Sequence, residues 1–406
     1  GDVIAFNRGD GEDRIAGGDG QNDTLSFGGG IRVSDMRLRK HGKDLIVDIG
    51  KGDSLRFDDW YKSSGSRSVA TLQVASAAGG TSFERYDFAA LVRKFDSVLA
   101  AELSEVCEVM VVINGEDPEP LALAAAAAAR EPRVRVEILP RSSRGRARNL
   151  AAARARGSIL HFLDDDVTVP PEIFTRTARR FQEHPEAAAV GGPNLTPDDA
   201  SAFERAVGWV LATRLGAWTM RARYAPVGRA RWAGEESLML CSLALRADAD
   251  GPGGLCFPEE LASAEENLLL ERVRAHGGRL FYDPDLSVRH RRRGDWRGFA
   301  SQTFKSGAGR LQAVVSLPSC LKPEHLAPAA FALYLAALPL GAHGPWVWAP
   351  LGLYLALLAW ECAVYARQED WRAAGLLALL VPLNHLAYAA GFLLGPFFWA
   401  EAESGS

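Results

Sequence analysis

The C-terminal end constrains this chain most. Past about residue 325 the sequence is almost continuously apolar, and three stretches are long enough to be candidate membrane spans: 326–342, 346–366 and 373–399. Polar breaks at 341–345 and 367–372 separate them. Basic residues precede the first span and lie between the second and third, and none lies between the first and second or after the third. By the positive-inside rule this places everything upstream in the cytoplasm and the C-terminus outside, so a multi-pass protein of the inner (cytoplasmic) membrane is expected. A buried helical hairpin is the competing reading of the same residues. The formal net charge is −4, which gives no electrostatic case for a nucleic-acid partner. Five scattered cysteines form no CxxC pair, and read as reduced thiols. No basic-then-apolar leader opens the sequence given, so no secretory signal is read.

Upstream of the apolar end the chain changes character twice. Residues 1–80 are rich in Gly and Asp. The runs RGDGEDRIA (8–16) and GGDGQNDTL (17–25) come close to the nonapeptide GGxGxDxUx, in which glycines make tight turns and Asp side chains with carbonyls hold calcium between stacked turns. A flexible Gly/Asp-rich stretch is the alternative. Alternating runs at 23–27, 43–49 and 53–57, separated by glycines, predict short strands. Residues 69–74 predict another strand, and the apolar spacing of Leu91, Phe95 and Leu99 predicts a helix over 88–103, within a linker of 81–104.

From about residue 105 the pattern becomes β-α-β. Strands are predicted at 108–113, 134–138 and 158–163, with an Ala/Arg helix at 145–156, and the third strand runs into Asp164, Asp165 and Asp166. Such alternation implies a largely parallel sheet covered by helices, with ligands at the carboxyl ends of its strands. Further on, Glu265 and Glu266 precede Asn267 and the apolar run Leu268 to Leu270. Two acids in the first turn of a helix are also favoured by its dipole alone.

The order Val-Val-Ile-Asn-Gly (111–115), Gly145-Arg-Ala-Arg-Asn149, Phe162-Leu-Asp-Asp-Asp166, Glu265-Glu266, Asp283-Pro284 and Val288-Arg-His290 resembles glycosyltransferase family 2. The segment 302–310 resembles the stretch before the membrane helices of its succinoglycan-type exopolysaccharide members. The Gly/Asp-rich start resembles the haemolysin-type (RTX) calcium module. The resemblance implies an α/β, GT-A-like Rossmann-type sheet over 105–318, an RTX-like β module over 1–80 and membrane helices over 326–400. It implies an inverting enzyme that uses a nucleotide-sugar donor and a lipid-linked or polysaccharide acceptor. It further implies Mg or Mn on Asp164 and Asp166 with His290 completing the shell, Asp164 also near the donor, and Asn114, Arg148 and Asn149 on the donor side. Glu266 is the implied general base, in a position where the family usually has Asp. Gln302 and Arg310 are expected on the acceptor or membrane side, and Asp10, Asp13, Asp19 and Asp23 are the candidate calcium ligands. A cluster at Arg291, Arg292 and Arg293 is a candidate for anionic headgroups or a lipid pyrophosphate. The family's opening strand has no counterpart before residue 108, so the domain is expected to be N-terminally truncated and its activity impaired. A secreted-type calcium-binding fragment without catalysis is the alternative function.

Overall fold

Alternation with a period of two, punctuated by glycine turns, becomes a pair of facing sheets in the first of two compact units, 1–141 and 142–406. The computed structural model describes residues 2–16, 23–28, 30–31, 35–62, 69–75, 83–87, 97–98, 101–115, 120–121, 124–125, 127–128, 131–261, 263–340, 344–369 and 371–395. The strands of the first unit are β1 (Val3–Phe6), β2 (Glu12–Ile15), β3 (Asp23–Phe27), β4 (Arg37–His41), β5 (Asp44–Gly50), β6 (Asp53–Phe57), β7 (Val69–Ala75), β8 (Phe83–Asp87), β9 (Val109–Asn114) and β10 (Val134–Leu139). One sheet runs β1-β3-β7-β8 and the other β2-β6-β5-β4. β1, β3 and β7 are parallel neighbours, and β2 is parallel to β6. The chain thus steps from one sheet to the other and back, like a short coil. Phe27, Leu72, Val47, Phe57 and Trp60 come from both sheets and share one core.

This geometry bears on the expected calcium sites. The loop after β2, residues 17–22, lies outside the described residues. Asp53 accepts the amides of Gly9 and Gly11, both at 3.0 Å. Those two backbone hydrogen bonds outweigh burial, which pushes the other way, and keep the Asp53 carboxyl below its usual range. Asp10 accepts the Asn7 amide and Asp23 accepts the Asp2 amide, while Asp13 sits on β2. Asp19 lies outside the described residues. Among the described residues these aspartates form no group of three that could hold an ion.

The strand expected at 69–74 forms as β7, and its partners are β3 and β8. It belongs to the N-terminal β coil. β9 and β10 pair in parallel as a separate two-stranded sheet, and among the described residues β9 has no second neighbour. The first compact unit ends at Arg141. The helix expected over 88–103 lies largely outside the described residues.

The second unit holds α1 (Arg144–Arg154), β11 (Ile159–Leu163), β12 (Val167–Thr168), α2 (Ile173–Glu183), β13 (Ala187–Gly191), β14 (Asn194–Leu195), α3 (Ala202–Ala212), α4 (Arg214–Ala217), β15 (Arg231–Ala233), β16 (Ser242–Arg246), α5 (Glu265–Ala275), β17 (Arg279–Tyr282), β18 (Val288–His290), α6 (Trp296–Ser316), α7 (Pro323–Ala337), α8 (Ala349–Gln368) and α9 (Trp371–Leu394). Its main sheet has the order β11-β16-β13-β17-β15. β13 and β17 are parallel, while β16 and β15 run against their neighbours, so the sheet is mixed rather than mostly parallel. β11, β13 and β17 still point the same way, which gathers their carboxyl ends on one edge. Among the described residues β11 also lacks a neighbour on its outer side.

The C-terminal helices fold back onto this unit. α3 and α6 supply Val207, Val210 and Phe299 to a core completed by Leu358, Tyr365, Leu377 and Val381 of α8 and α9. Among the described residues two helices are long and apolar enough to cross a membrane, Pro345–Gln368 with mean hydropathy 1.6 and Ala373–Leu394 with 1.7. The first expected span, 326–342, is not one of these two, and its last two residues lie outside the described residues. α7 has 15 residues, about 22 Å at the helical rise, which is short of a ~30 Å hydrocarbon core. α8 turns Leu353, Leu357 and Trp360 outward, with Trp360 66% exposed. α9 instead spends its polar groups inward: Asn384 donates to the Gly216 carbonyl at 2.9 Å and His385 to that of Leu215 at 2.8 Å.

Candidate active site

The strand β11 ends at Leu163, and the chain turns at Asp164–Asp166. The antiparallel β12–β18 pair then sets Val167 opposite His290. That register brings Asp166 Oδ1 to 3.1 Å from His290 Nε2. Asp164, Asp166 and His290 each present one donor atom, all within 4.8 Å of one another, and among the described residues no other such trio forms. Burial raises the Asp164 carboxyl above its usual value. Arg148 opposes the rise and Asp166 adds to it. Burial pushes Asp166 up as well, but the hydrogen bond and charge of His290 outweigh it, and the net direction is down.

α1 reaches this corner from the other side. Ser143 caps it by accepting the Arg146 amide. A Cβ on Gly145 would lie 2.3 Å from the Pro258 carbonyl oxygen, so only glycine lets the helix sit against the loop before α5. Arg148, one turn in, places Nη1 2.5 Å from Glu265 Oε1 and Nη2 3.4 Å from Asp164 Oδ1. It is therefore the joint between the strand-end aspartates and the acidic start of α5. Asn149 donates to the Phe257 carbonyl and to Glu259, and accepts the Phe257 amide. Its whole amide group is engaged in clamping the loop. Asn114 closes β9 in the other unit.

Glu265 and Glu266 begin α5 after Ala264, whose φ of +66° turns the chain sharply into the helix. Both are buried, and each faces its own cation: Glu265 faces Arg148, and Glu266 faces Arg223 at 3.5 Å. That exceeds what dipole preference alone would produce, since burying an ion demands a partner. Burial, and then Glu265 beside it, raises the Glu266 carboxyl, while Arg223 and Arg310 oppose the rise.

Behind Glu266 lies a buried ionic cluster that sequence reading missed. Glu235 is 0% exposed. It contacts Arg223 at 3.1 Å, Arg310 at 3.2 Å and Lys322 at 3.0 Å, and also accepts from Asn267. Burial alone would raise its pKa, but Arg310, Arg223 and Lys322 hold it down at about 2. Arg310, expected to face acceptor or membrane, is 4% exposed and committed to this cluster, because α6 turns that side toward the body. Gln302 stays exposed on α6. The arginine cluster is also spent inside the fold. Arg292 holds the Asn194 side chain and carbonyl, both at 2.6 Å, and Arg291 pairs with Asp199 and Glu204, which leaves Arg293 exposed.

Residues 82–234 match the family model described as Glycosyl transferase family 2. No curated protein matches the chain significantly. Among solved structures it is similar to the mannosyltransferase PcManGT from Pyrobaculum calidifontis in complex with GDP-Man and Mn2+, at 18% identity over 75% of this chain and 83% of that one, with a TM-score of 0.47. It is also similar to GalNAc-T7 with UDP, GalNAc and Mn2+, at 14% identity, 56% and 45% coverage and a TM-score of 0.37. A third, TarS 1–349 of S. aureus, gives 12% identity, 77% and 88% coverage and a TM-score of 0.38.

Proposed function

We propose, taking the family 2 match over residues 82–234 as premise, that this chain is an inverting glycosyltransferase. It would move a sugar from a nucleotide-sugar donor to a lipid-linked or polysaccharide acceptor at a membrane. The observation that carries the reading to particular residues is Arg148, which joins Asp164 to Glu265 and so makes one site of the strand end and the helix start.

Two carboxylates and an imidazole within 4.8 Å suit a hard to borderline divalent cation such as Mg or Mn. Held by Asp164, Asp166 and His290, the cation would neutralise the diphosphate as it leaves. Glu266 takes the proton of the acceptor hydroxyl while that oxygen attacks the anomeric carbon, and the bond to the diphosphate breaks on the opposite face, so the configuration inverts. Its raised pKa suits this task, because a base is most effective when its pKa approaches the working pH. Arg148 fixes the spacing between the donor end and the base. Asn114 is proposed for the donor side by family resemblance alone.

The apolar helices Pro345–Gln368 and Ala373–Leu394 support a membrane location. The distribution of basic residues supports a cytoplasmic catalytic domain on the inner membrane. The sequence before residue 108 offers no counterpart to the family's opening strand, which supports weak donor binding, since that strand would wall the donor pocket.

The test is a screen of the detergent-purified chain against nucleotide sugars, reading released nucleoside diphosphate, with calorimetry of nucleoside diphosphate binding. Binding should require manganese and fail in Asp166→Ala. Glu266→Gln should keep binding and lose turnover, since the base acts in the transition state. Equal affinity with manganese, with chelator and in Asp166→Ala would remove the site.

A further inference from the structure

We infer that Arg223 is a positioning residue for Glu266, and that Glu235 holds it in place from the seats of α6 and α7. This rests on the reading of Glu266 as the base.

The geometry is specific. Arg223 closes the short turn Trp218–Arg223. Its Nη2 donates to the Glu235 carbonyl at 2.7 Å and faces Glu235 Oε2 at 3.1 Å, and its Nε donates to the Glu236 carbonyl at 3.1 Å. Three fixed contacts on a rigid planar fork leave Nη1 one direction, and there it stands 3.5 Å from Glu266 Oε1. The side chain is 5% exposed, so water does not screen the pair. Glu235 is immobilised in turn. Its other oxygen is shared by Arg310 of α6 and by Lys322, the residue that leads into α7.

The turn is anchored to the same helix a second time, since Thr219 donates to Glu324 of α7 at 2.8 Å. It is entered through Trp218 at φ +48°, a conformation bulky residues rarely adopt and one that persists when surroundings over-determine it. A cluster of four buried or half-buried ions is no cheap way to stabilise a protein, because well-packed apolar residues commonly do as well. A role in setting the base gives this one a reason.

The groups that face Glu266 are Glu265 on its own helix, Arg223 and Tyr224 from the turn, and Arg310 from α6. Removing Arg223 leaves Glu266 buried beside Glu265 with its nearest cation gone. Its carboxyl should then hold a proton at neutral pH, and its orientation should loosen. Removing the charge of Glu235 instead leaves Arg223 with one anion to serve, so the Glu266 carboxyl should ionise more readily.

The experiment is carbon-13 NMR of glutamate-labelled full-length protein in detergent, with Glu266→Gln identifying the resonance, alongside pH profiles of kcat/KM. In Arg223→Gln the Glu266 midpoint should rise by about one pH unit or more. The acid limb of kcat/KM should move with it, kcat at pH 7 should fall about tenfold or more, and donor KM should hold. Glu235→Gln should move the midpoint the opposite way, which general loosening of the fold would not do, and Arg223→Lys should recover part of kcat. A Glu266 midpoint indifferent to Arg223 and Glu235, or a loss carried by donor KM, would overturn the inference. Turnover that survives Glu266→Gln would instead sink the reading of the base itself.

Discussion

The seam between α6 and α9 sets up a controlled test of the tertiary structure. A Cβ on Gly391 of α9 would stand 1.9 Å from the Phe304 carbonyl oxygen of α6, and a Cβ on Gly307 would stand 2.2 Å from the Tyr388 carbonyl oxygen. The two glycines interlock, each against the other helix's backbone, and backbone cannot rotate away. Gly375 lies on the same helix with nothing within 4 Å of its would-be Cβ. Gly391→Ala and Gly375→Ala therefore gain the same helix propensity, about 1 kcal/mol, and differ in sterics alone. Overpacking costs about 1–3 kcal/mol where side chains can give way. Against a carbonyl, the upper end applies. Gly391→Ala should lose about 2 kcal/mol net while Gly375→Ala is neutral or slightly stabilising. For a unit of this size that is a lowering of roughly 4–8 °C in Tm for the first variant only. Since α6 carries Arg310, the first variant should also disturb the pairing of Glu235 and lower turnover. The assay is intrinsic-fluorescence thermal unfolding of the purified protein in one detergent, with both variants scanned at the same rate. Equal Tm values for Gly391→Ala and Gly375→Ala would refute the packing of α6 on α9 and the reasoning that depends on it.

Three further outcomes are expected. Burial pushes the His161 imidazole down to about 4 from 6.5, and Glu235 is held at about 2 from 4.5. In both cases the folded value lies below the unfolded one, so stability present at neutral pH is lost as pH falls, first from about 6.5 toward 4 through His161 and then from about 4.5 toward 2 through Glu235. Thermal scans from pH 8 to 4 should show Tm falling below pH 6.5, and His161→Asn should flatten that first step; an unchanged step would clear His161. Trp346 and Trp360 are 85% and 66% exposed and should be quenched by brominated lipids on reconstitution, whereas quantitative release of the native protein by carbonate would rule out membrane insertion. Replacing the first ~100 residues with a complete family N-terminus should tighten donor binding about tenfold or more, as a pocket wall is restored; equal affinity would show that the strand is already supplied.

Several features were legible in the sequence because they are local. A short, mostly apolar run announced β11, and the acids that follow sit at its carboxyl end. Gly/Asp turns between short alternating runs announced the β coil, and β7 formed where residues 69–74 predicted a strand. The pairing direction of β15 and β16 was not legible, since a half-buried strand reads alike either way round. Nor was the fate of 326–342, where composition alone resembles a span and α7 stops after 15 residues.

By itself, then, the sequence determined the elements and the chemistry on offer: which strand carries the aspartates, which helix begins with two glutamates, and which stretch water would not tolerate. These follow from periodicity and hydropathy within a dozen residues. The tertiary structure decided which charges meet. Arg148 finds Glu265 across 117 positions, Asn149 finds Phe257 across 108, and Arg310 finds Glu235 across 75. Each arginine resembled a surface or ligand-binding residue along the chain. What turned them inward was burial, which makes an unpaired carboxylate so costly that the fold brings a distant cation to it.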